Sequence, residues 1–326
     1  MRVASAHTRP SRLVWTVALF SASIWASAFS LAQASASEKA AAATTASSGV
    51  RTFDSPQQAA NTLIDAADRF DEVALTQIFG SGGMDIVFTG EFAQDREHAA
   101  NFAAEAHERN SVSVDPHNAN RAFLLVGNED WPFPVPIIKR EGKWLFDATA
   151  GRQELLNRRI GANELDAIQI CHGYVEAQYD YAYQYRNEYA VNQYAQRIVS
   201  TPGKKDGLAW QTSDGTWEGP IGEKIAQAIQ RGYSPDLTPY HGYLFKILKG
   251  QGPAAPLGQM DYVVEGVMIG GFALVAAPAE YGVNGVYTFI VSNNGIVYQK
   301  DFGAKTLNAF KQMTLFNPDK SWRPIS

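Results

Sequence analysis

Residues 163–185 read NELDAIQICHGYVEAQYDYAYQY. Leu165, Ile168, His172, Val175, Tyr179 and Ala182 recur in alternating steps of three and four, a spacing that predicts one long amphipathic helix capped by Asn163-Glu164. Tyr174, Tyr181 and Tyr185 fall on an adjacent face. A weaker helix is expected over 222–231. After it the period shortens, and strands are expected at 243–248, 268–276, 286–291 and 296–300, with a closing helix at 306–313. Asn294-Gly295 is the strongest turn signal in the chain and predicts a two-residue hairpin. A long helix followed by an antiparallel sheet makes the second half α+β.

Working back towards the start, helices precede strands. Asp54-Ser55-Pro56 offers an N-cap and a first-turn proline, and Ala60, Leu63, Ile64 and Ala67 continue at helical spacing. Further helices are expected at 73–79, ended by the glycines of 80–83, and at 91–109. Strands follow at 122–126, 135–139 and 144–146, the last two joined by a Glu141-Gly142 turn. Pro132, Pro134 and Pro136 suit a strand start or a sheet edge, because proline donates no ladder hydrogen bond. Helices leading into an antiparallel sheet that ends in Gly142-Lys143-Trp144-Leu145-Phe146 resemble the cystatin-like, nuclear-transport-factor-like cone fold. The second half resembles the globular part of pilin-like proteins. A connecting helix at 153–160 sits between them, so the expected organisation is 53–160 as a cone-like domain and 161–326 as a helix-plus-sheet domain.

The chain opens with Arg2, Arg9 and Arg12, an apolar run over 13–29, and Ala32-Gln33-Ala34-Ser35-Ala36. A basic start, an apolar middle and an Ala-x-Ala exit form the layout of a secretory signal peptide, here 1–36, cut before Ser35 or Ser37. Export to the periplasm or the medium follows, with membrane attachment only if the signal segment stays uncleaved as an anchor. Residues 37–52 read as a flexible tether. The net charge of −5 becomes −8 without the three signal arginines. That spread acidity argues against nucleic acid as a partner. A lone thiol, Cys171, gives an exported chain no internal disulfide and reads as a small buried apolar group.

Motifs for chemistry are sparse. The phosphate-loop pattern is absent and Gly250-Gln251-Gly252 is followed by Pro253, which has no N–H for a pyrophosphate, so no cofactor is expected; no nucleophile elbow occurs, which argues against an α/β-hydrolase. Five histidines follow the signal segment, none spaced for a helical metal pair, so no metal is expected. His172 lies on the expected apolar stripe and reads as a core imidazole. His241, flanked by Tyr240 and Tyr243 at a strand start, is the catalytic candidate, with Asp206 or Glu280 as the carboxylate that would orient it. Its alternative role is to close a loop by hydrogen bonding. The turn over 201–207 carries Lys204 and Lys205 beside backbone donors that suit an anion, or is simply solvated. Trp131, Phe133, Trp210, Tyr240, Tyr243 and Tyr281 lie in or beside Gly/Pro-rich loops and are the expected ligand-contacting aromatics, unless they lid the cores.

Several of these stretches together carry a resemblance: 131–136, Gly151-Arg152-Gln153-Glu154, Ser200-Thr201-Pro202-Gly203 with Lys204 to Gly207, Tyr240-His241-Gly242-Tyr243, Gly270-Gly271-Phe272, and Pro278-Ala279-Glu280-Tyr281-Gly282. They resemble an exported bacterial family catalogued as domain of unknown function 2950, over roughly 53–324. The resemblance implies no activity. An acidic loop of some relatives falls here on Tyr185-Arg186-Asn187-Glu188-Tyr189, which lacks spaced calcium ligands. Three readings stand: a non-enzymatic binding or assembly component of the envelope, with a protein or small-molecule partner; a hydrolase built on His241; and a small-ligand carrier using a cavity in the first domain.

Overall fold

The computed structural model describes residues 49–184, 192–222 and 239–325. Residues 1–36, where a signal peptide is expected, residues 37–48 of the expected tether, Tyr185 to Tyr189 and nearly all of the helix expected at 222–231 lie outside the described residues. Helix α1 (Pro56–Asp68) starts where Ser55 accepts from the Gln58 N–H, and α2 (Glu72–Phe79) where Asp71 accepts from that of Ala74. Gly80, at φ 71°, ends α2. Two further helices, α3 (Met84–Val87) and α4 (Phe92–Glu108), precede the strands β1 (Asn110–Asp115), β2 (Asn118–Val126), β3 (Trp131–Pro132), β4 (Ile137–Arg140) and β5 (Lys143–Phe146). These form an antiparallel sheet in the order β1-β2-β4-β5, with β3 on β2. Alternation on β2 sends Ala122, Leu124 and Val126 into a core with Ile64, Ile78 and Phe146. Arg121, Phe123 and Leu125 therefore take the opposite face.

Helix α5 (Ala148–Gln184) runs without a break for 37 residues, about 55 Å at 1.5 Å per residue. The sequence predicts two helices here; Gly161 lies between two stretches of good helix formers and is carried through. The buried face also differs from the expected stripe. In the second half of the helix it consists of Asn163, Ala167, Cys171, Tyr174, Val175, Ala177, Gln178 and Tyr181, whereas Leu165 is 63% exposed and His172 is exposed. Small side chains at 167 and 171 allow the helix to approach the sheet closely. Gln178 is satisfied in place: its Nε2 donates to the Ala195 carbonyl (2.8 Å) and the Tyr174 hydroxyl (2.9 Å), and its Oε1 accepts from the Ala195 N–H (2.8 Å). A hydropathy stripe cannot register such a glutamine.

Past the helix come β6 (Arg197–Val199), β7 (Gly207–Gln211) and β8 (Trp217–Glu218), then β9 (Tyr243–Leu248). Two short ribbons follow, β10 (Gly250–Gln251) with β11 (Met260–Asp261) and β12 (Val263–Val264) with β13 (Val267–Met268). The main sheet is completed by β14 (Ala273–Pro278), β15 (Tyr287–Ser292), β16 (Val297–Asp301) and β17 (Arg323–Pro324), with α6 (Thr306–Gln312) before the last strand. Its order is β17-β16-β15-β14-β9, antiparallel throughout. Strand β14 is buried at every residue, with α5 and α6 both packed against it. The architecture is α+β. The hairpin at Asn294-Gly295 is wider than expected: Val291 pairs with Val297, and Gly295 alone is left-handed (φ 75°). The Asn294 carboxamide instead accepts from Ser292 Oγ and the Ile296 N–H, which stabilises a longer loop.

Gln178→Ala is expected to lower stability by about 2–3 kcal/mol in urea unfolding, because it strands both polar groups of Ala195. A change under 0.5 kcal/mol, about the size of an ordinary surface substitution, would contradict that role. Burial pushes the Cys171 thiol from 9.0 up to about 12 and raises the Tyr174 and Tyr243 hydroxyls above 10.0. Unfolded chains lose these protons first, so stability is complete below pH 9 and falls as pH rises beyond it. A urea midpoint that stays flat between pH 9 and 11 would count against this.

Candidate functional site

Tyr240 and Tyr243 exchange backbone hydrogen bonds of 2.9 Å in both directions, closing a two-residue turn over His241 and Gly242. Both central residues are left-handed, at φ 45° and 74°, which is the type I′ geometry. Gly242 is required twice over: a Cβ there would also lie 2.8 Å from Asn163 Nδ2 and from Asn284 Cβ. His241 has no such licence. Histidine tolerates this region better than most residues, at a cost of about 1–2 kcal/mol.

The first turns of the second half of α5 hold this region. Asn163 Nδ2 donates to the Asn284 carbonyl (2.9 Å), and Glu164 Oε1 accepts from the N–H groups of Val286 (2.8 Å) and Tyr287 (3.1 Å). Asp166 Oδ2 lies 2.5 Å from His241 Nδ1, and the Tyr240 ring stacks on the imidazole at 4.1 Å. The two side chains of the pair are 33% and 37% exposed. They edge a cavity of about 410 Å³ whose floor includes Ile170, Tyr174, Leu208 and Ile221. Glu176 and Asp180, further along α5, bring two more carboxylates to its wall. Desolvation, and then the Asp166 charge, raise the Tyr240 hydroxyl above its ordinary value, so it remains a proton donor.

With Nδ1 held by a carboxylate, the neutral imidazole carries its proton on Nδ1 and presents Nε2 as an acceptor. None of the described wall residues is Ser, Thr or Cys. Among the described residues no group of three His, Cys, Asp or Glu side chains could hold a metal ion.

The carboxylate beside His241 is Asp166, neither Asp206 nor Glu280. Asp206 closes its own loop, accepting from the Thr201 N–H (2.7 Å) and hydroxyl (2.8 Å). Burial alone would raise its carboxyl; the Thr201 bonds and Arg197 outweigh burial and lower it. Glu280 is exposed, and its backbone carbonyl accepts from Asn284 N–H. In the 201–207 turn, three backbone donors are already used: Asp206 takes that of Thr201, the Thr201 carbonyl that of Lys204, and Ser200 Oγ that of Gly207. Lys204 is exposed, while Lys205 pairs with Glu218 (3.7 Å) and lies over the Trp210 ring.

The aromatic residues separate. Tyr240 reaches the cavity. Tyr243 is wholly buried, its hydroxyl donating to the Tyr287 carbonyl, and Trp210 is also core. Tyr281 sits at the surface with its hydroxyl 3.3 Å from Asp301 Oδ2. Trp131 and Phe133 lie away on the first sheet, Trp131 exposed under Arg158 and Phe133 packed on the first core. Sequence reading missed Asp166, since 75 residues separate it from His241 and nothing local marks it. Its one signal is position: Asp166, Gln169, Gly173, Glu176 and Asp180 recur at helical spacing as a polar stripe.

Gly242→Ala is expected to lower stability by about 2–4 kcal/mol, combining left-handed strain with overpacking against Asn163 and Asn284. An unchanged urea midpoint would show that the turn is not seated as described.

The family model described as "Protein of unknown function (DUF2950)" matches residues 50–325. No curated protein and no solved structure matches the chain. The chain belongs to the DUF2950 family.

Proposed function

We propose that this DUF2950 member is an exported binding component of the cell envelope that holds a small ligand in the cavity beside the Tyr240–Tyr243 turn. The observation that carries the reading is the cavity's composition. An apolar floor, an imidazole–carboxylate pair and two further carboxylates surround about 410 Å³, within the range of roughly 300–1,000 Å³ common for small-molecule sites. Three acidic groups against one imidazole suit a ligand rich in hydrogen-bond donors or carrying a positive charge, such as an amine or a polyol. The strained His241 backbone supports the choice, since such strain gathers at working sites. Export rests on the arginines, the apolar run and the Ala-x-Ala exit of residues 1–36. Among the described residues no helix is long and apolar enough to cross a membrane.

A second reading, a hydrolase, is favoured by the His241–Asp166 bond itself. Asp166 orients the ring, and Nε2 is the general base that takes a proton from water, which attacks directly.

Native mass spectrometry of freshly purified protein, followed by thermal-shift screening with amines, amino sugars and polyols, tests the binding reading. His241→Asn is the informative variant, because asparagine tolerates the turn while removing the imidazole. Binding weakened about tenfold or more in this variant is expected, the loss of one charged hydrogen bond. Turnover of ester, amide or glycoside substrates that His241→Asn abolishes would instead establish the hydrolase. Neither binding nor turnover would remove both.

A further inference from the structure

A second cavity, of about 600 Å³, lies on the face of the first sheet that points away from its core. Its base is Arg121, Phe123 and Leu125 of β2, and its roof is the first half of α5, where Asn157 and Arg158 reach over it. The roof is pinned at one end: a Cβ on Gly151 would sit 2.7 Å from Val135 Cγ2, so helix and sheet touch there. Pro132, Pro134 and Pro136 form a side wall. They offer no N–H groups, so a neighbouring strand could not zip that edge shut.

The two arginines of this cavity are not equivalent. Arg158 is committed: Nε donates to Glu154 Oε1 (2.8 Å), Nη2 donates to the Pro132 carbonyl (2.8 Å), and the guanidinium covers the Trp131 ring. That pair also neutralises Glu154. Arg121 lies over the Phe123 ring at 4.8 Å, with its Nε shut off from solvent and without an acceptor. Among the described residues no carboxylate lies within ion-pair reach of Arg121. The cavity therefore holds one positive charge that the protein leaves uncompensated, beside an apolar surface of Phe123, Leu125 and Phe133. A guanidinium kept half-buried without a counter-charge is costly, and an anion supplied from outside relieves that cost.

We propose that this cavity binds a monocarboxylate with an apolar body, its carboxylate on the Arg121 guanidinium and its body over Phe123 and Phe133. One uncompensated charge matches a singly charged carboxylate; a phosphate dianion would leave excess negative charge beside Glu154. Guanidinium and carboxylate are also matched in planar geometry. The site is separate from the His241 cavity and does not rest on the reading given for it.

The test is titration calorimetry of the full purified chain with decanoate, decanol and 1-naphthoate, with wild type beside Arg121→Gln, Arg121→Lys and Asn157→Trp. Wild type is expected to bind decanoate or naphthoate one to one, and decanol about tenfold more weakly or worse. Arg121→Gln should cost the carboxylates about tenfold and leave decanol unchanged, whereas Arg121→Lys should retain part of the preference. Asn157→Trp, which fills the roof, should abolish all binding. If Arg121→Gln does not fold, the carboxylate-over-alcohol preference of wild type and its behaviour in Arg121→Lys decide the matter. Failure of both carboxylates to bind, equal affinity for decanol, or Arg121→Gln binding as tightly as wild type would overturn the proposal.

Discussion

Helix α5 has two jobs that compete. Its first turns seal against Val135 and the first sheet, its later turns lie on β14 and β15, and a rigid rod must serve both surfaces with one continuous set of backbone hydrogen bonds. A helix can satisfy two sheets only if its side chains change character along its length. That is what this helix does: long polar residues bridge a gap over the first sheet, and small or internally bonded residues permit close contact over the second. Gln178 is the clearest case, using its whole amide to hold the chain as it returns through Ala195.

Both cavities are consequences of that arrangement. Where the helix diverges from the first sheet after Gly151, a gap remains over Arg121 and Phe123. Where α5 meets the turn at His241, three polar side chains within one turn of the helix, Asn163, Glu164 and Asp166, tie down loops from the 240s and 280s. The His241 backbone strain is supportable because that clamp over-determines the turn; an isolated hairpin would relax it. The site is thus positioned by a helix, not by loop packing alone.

Much of this was legible in the sequence for simple reasons. Ser55-Pro56, the period of 3.6 in α1 and α4, and the apolar run of β9 carry local signals that tertiary contacts did not overrule. Cys171 was legible as a small buried group, but the rest of the buried face of α5 was not, because Asn163 and Gln178 are chosen for fit and specific bonds instead of hydropathy, and hydropathy points to Leu165 and Ile168. His241 stood out by its neighbours, but its partner Asp166 did not, since the pairing is made by the fold across 75 residues. Arg121 was equally silent: an arginine in an alternating strand looks like an ordinary solvated position until the helix above it is in place. Tyr243 and Trp210 were drawn towards binding by their Gly-rich surroundings and proved to be core, because glycines such as Gly285 make room for the ring; a Cβ there would lie 2.2 Å from the Tyr243 hydroxyl.

Native-state hydrogen exchange across α5 addresses the central claim most directly. If one continuous helix couples both cores, amides from Ile160 to Ala167 should exchange with the same high protection as those of β14 and β15, and lose it at the same urea concentration. Fast exchange confined to the turn around Gly161, with the two halves unfolding at separate midpoints, would contradict the account.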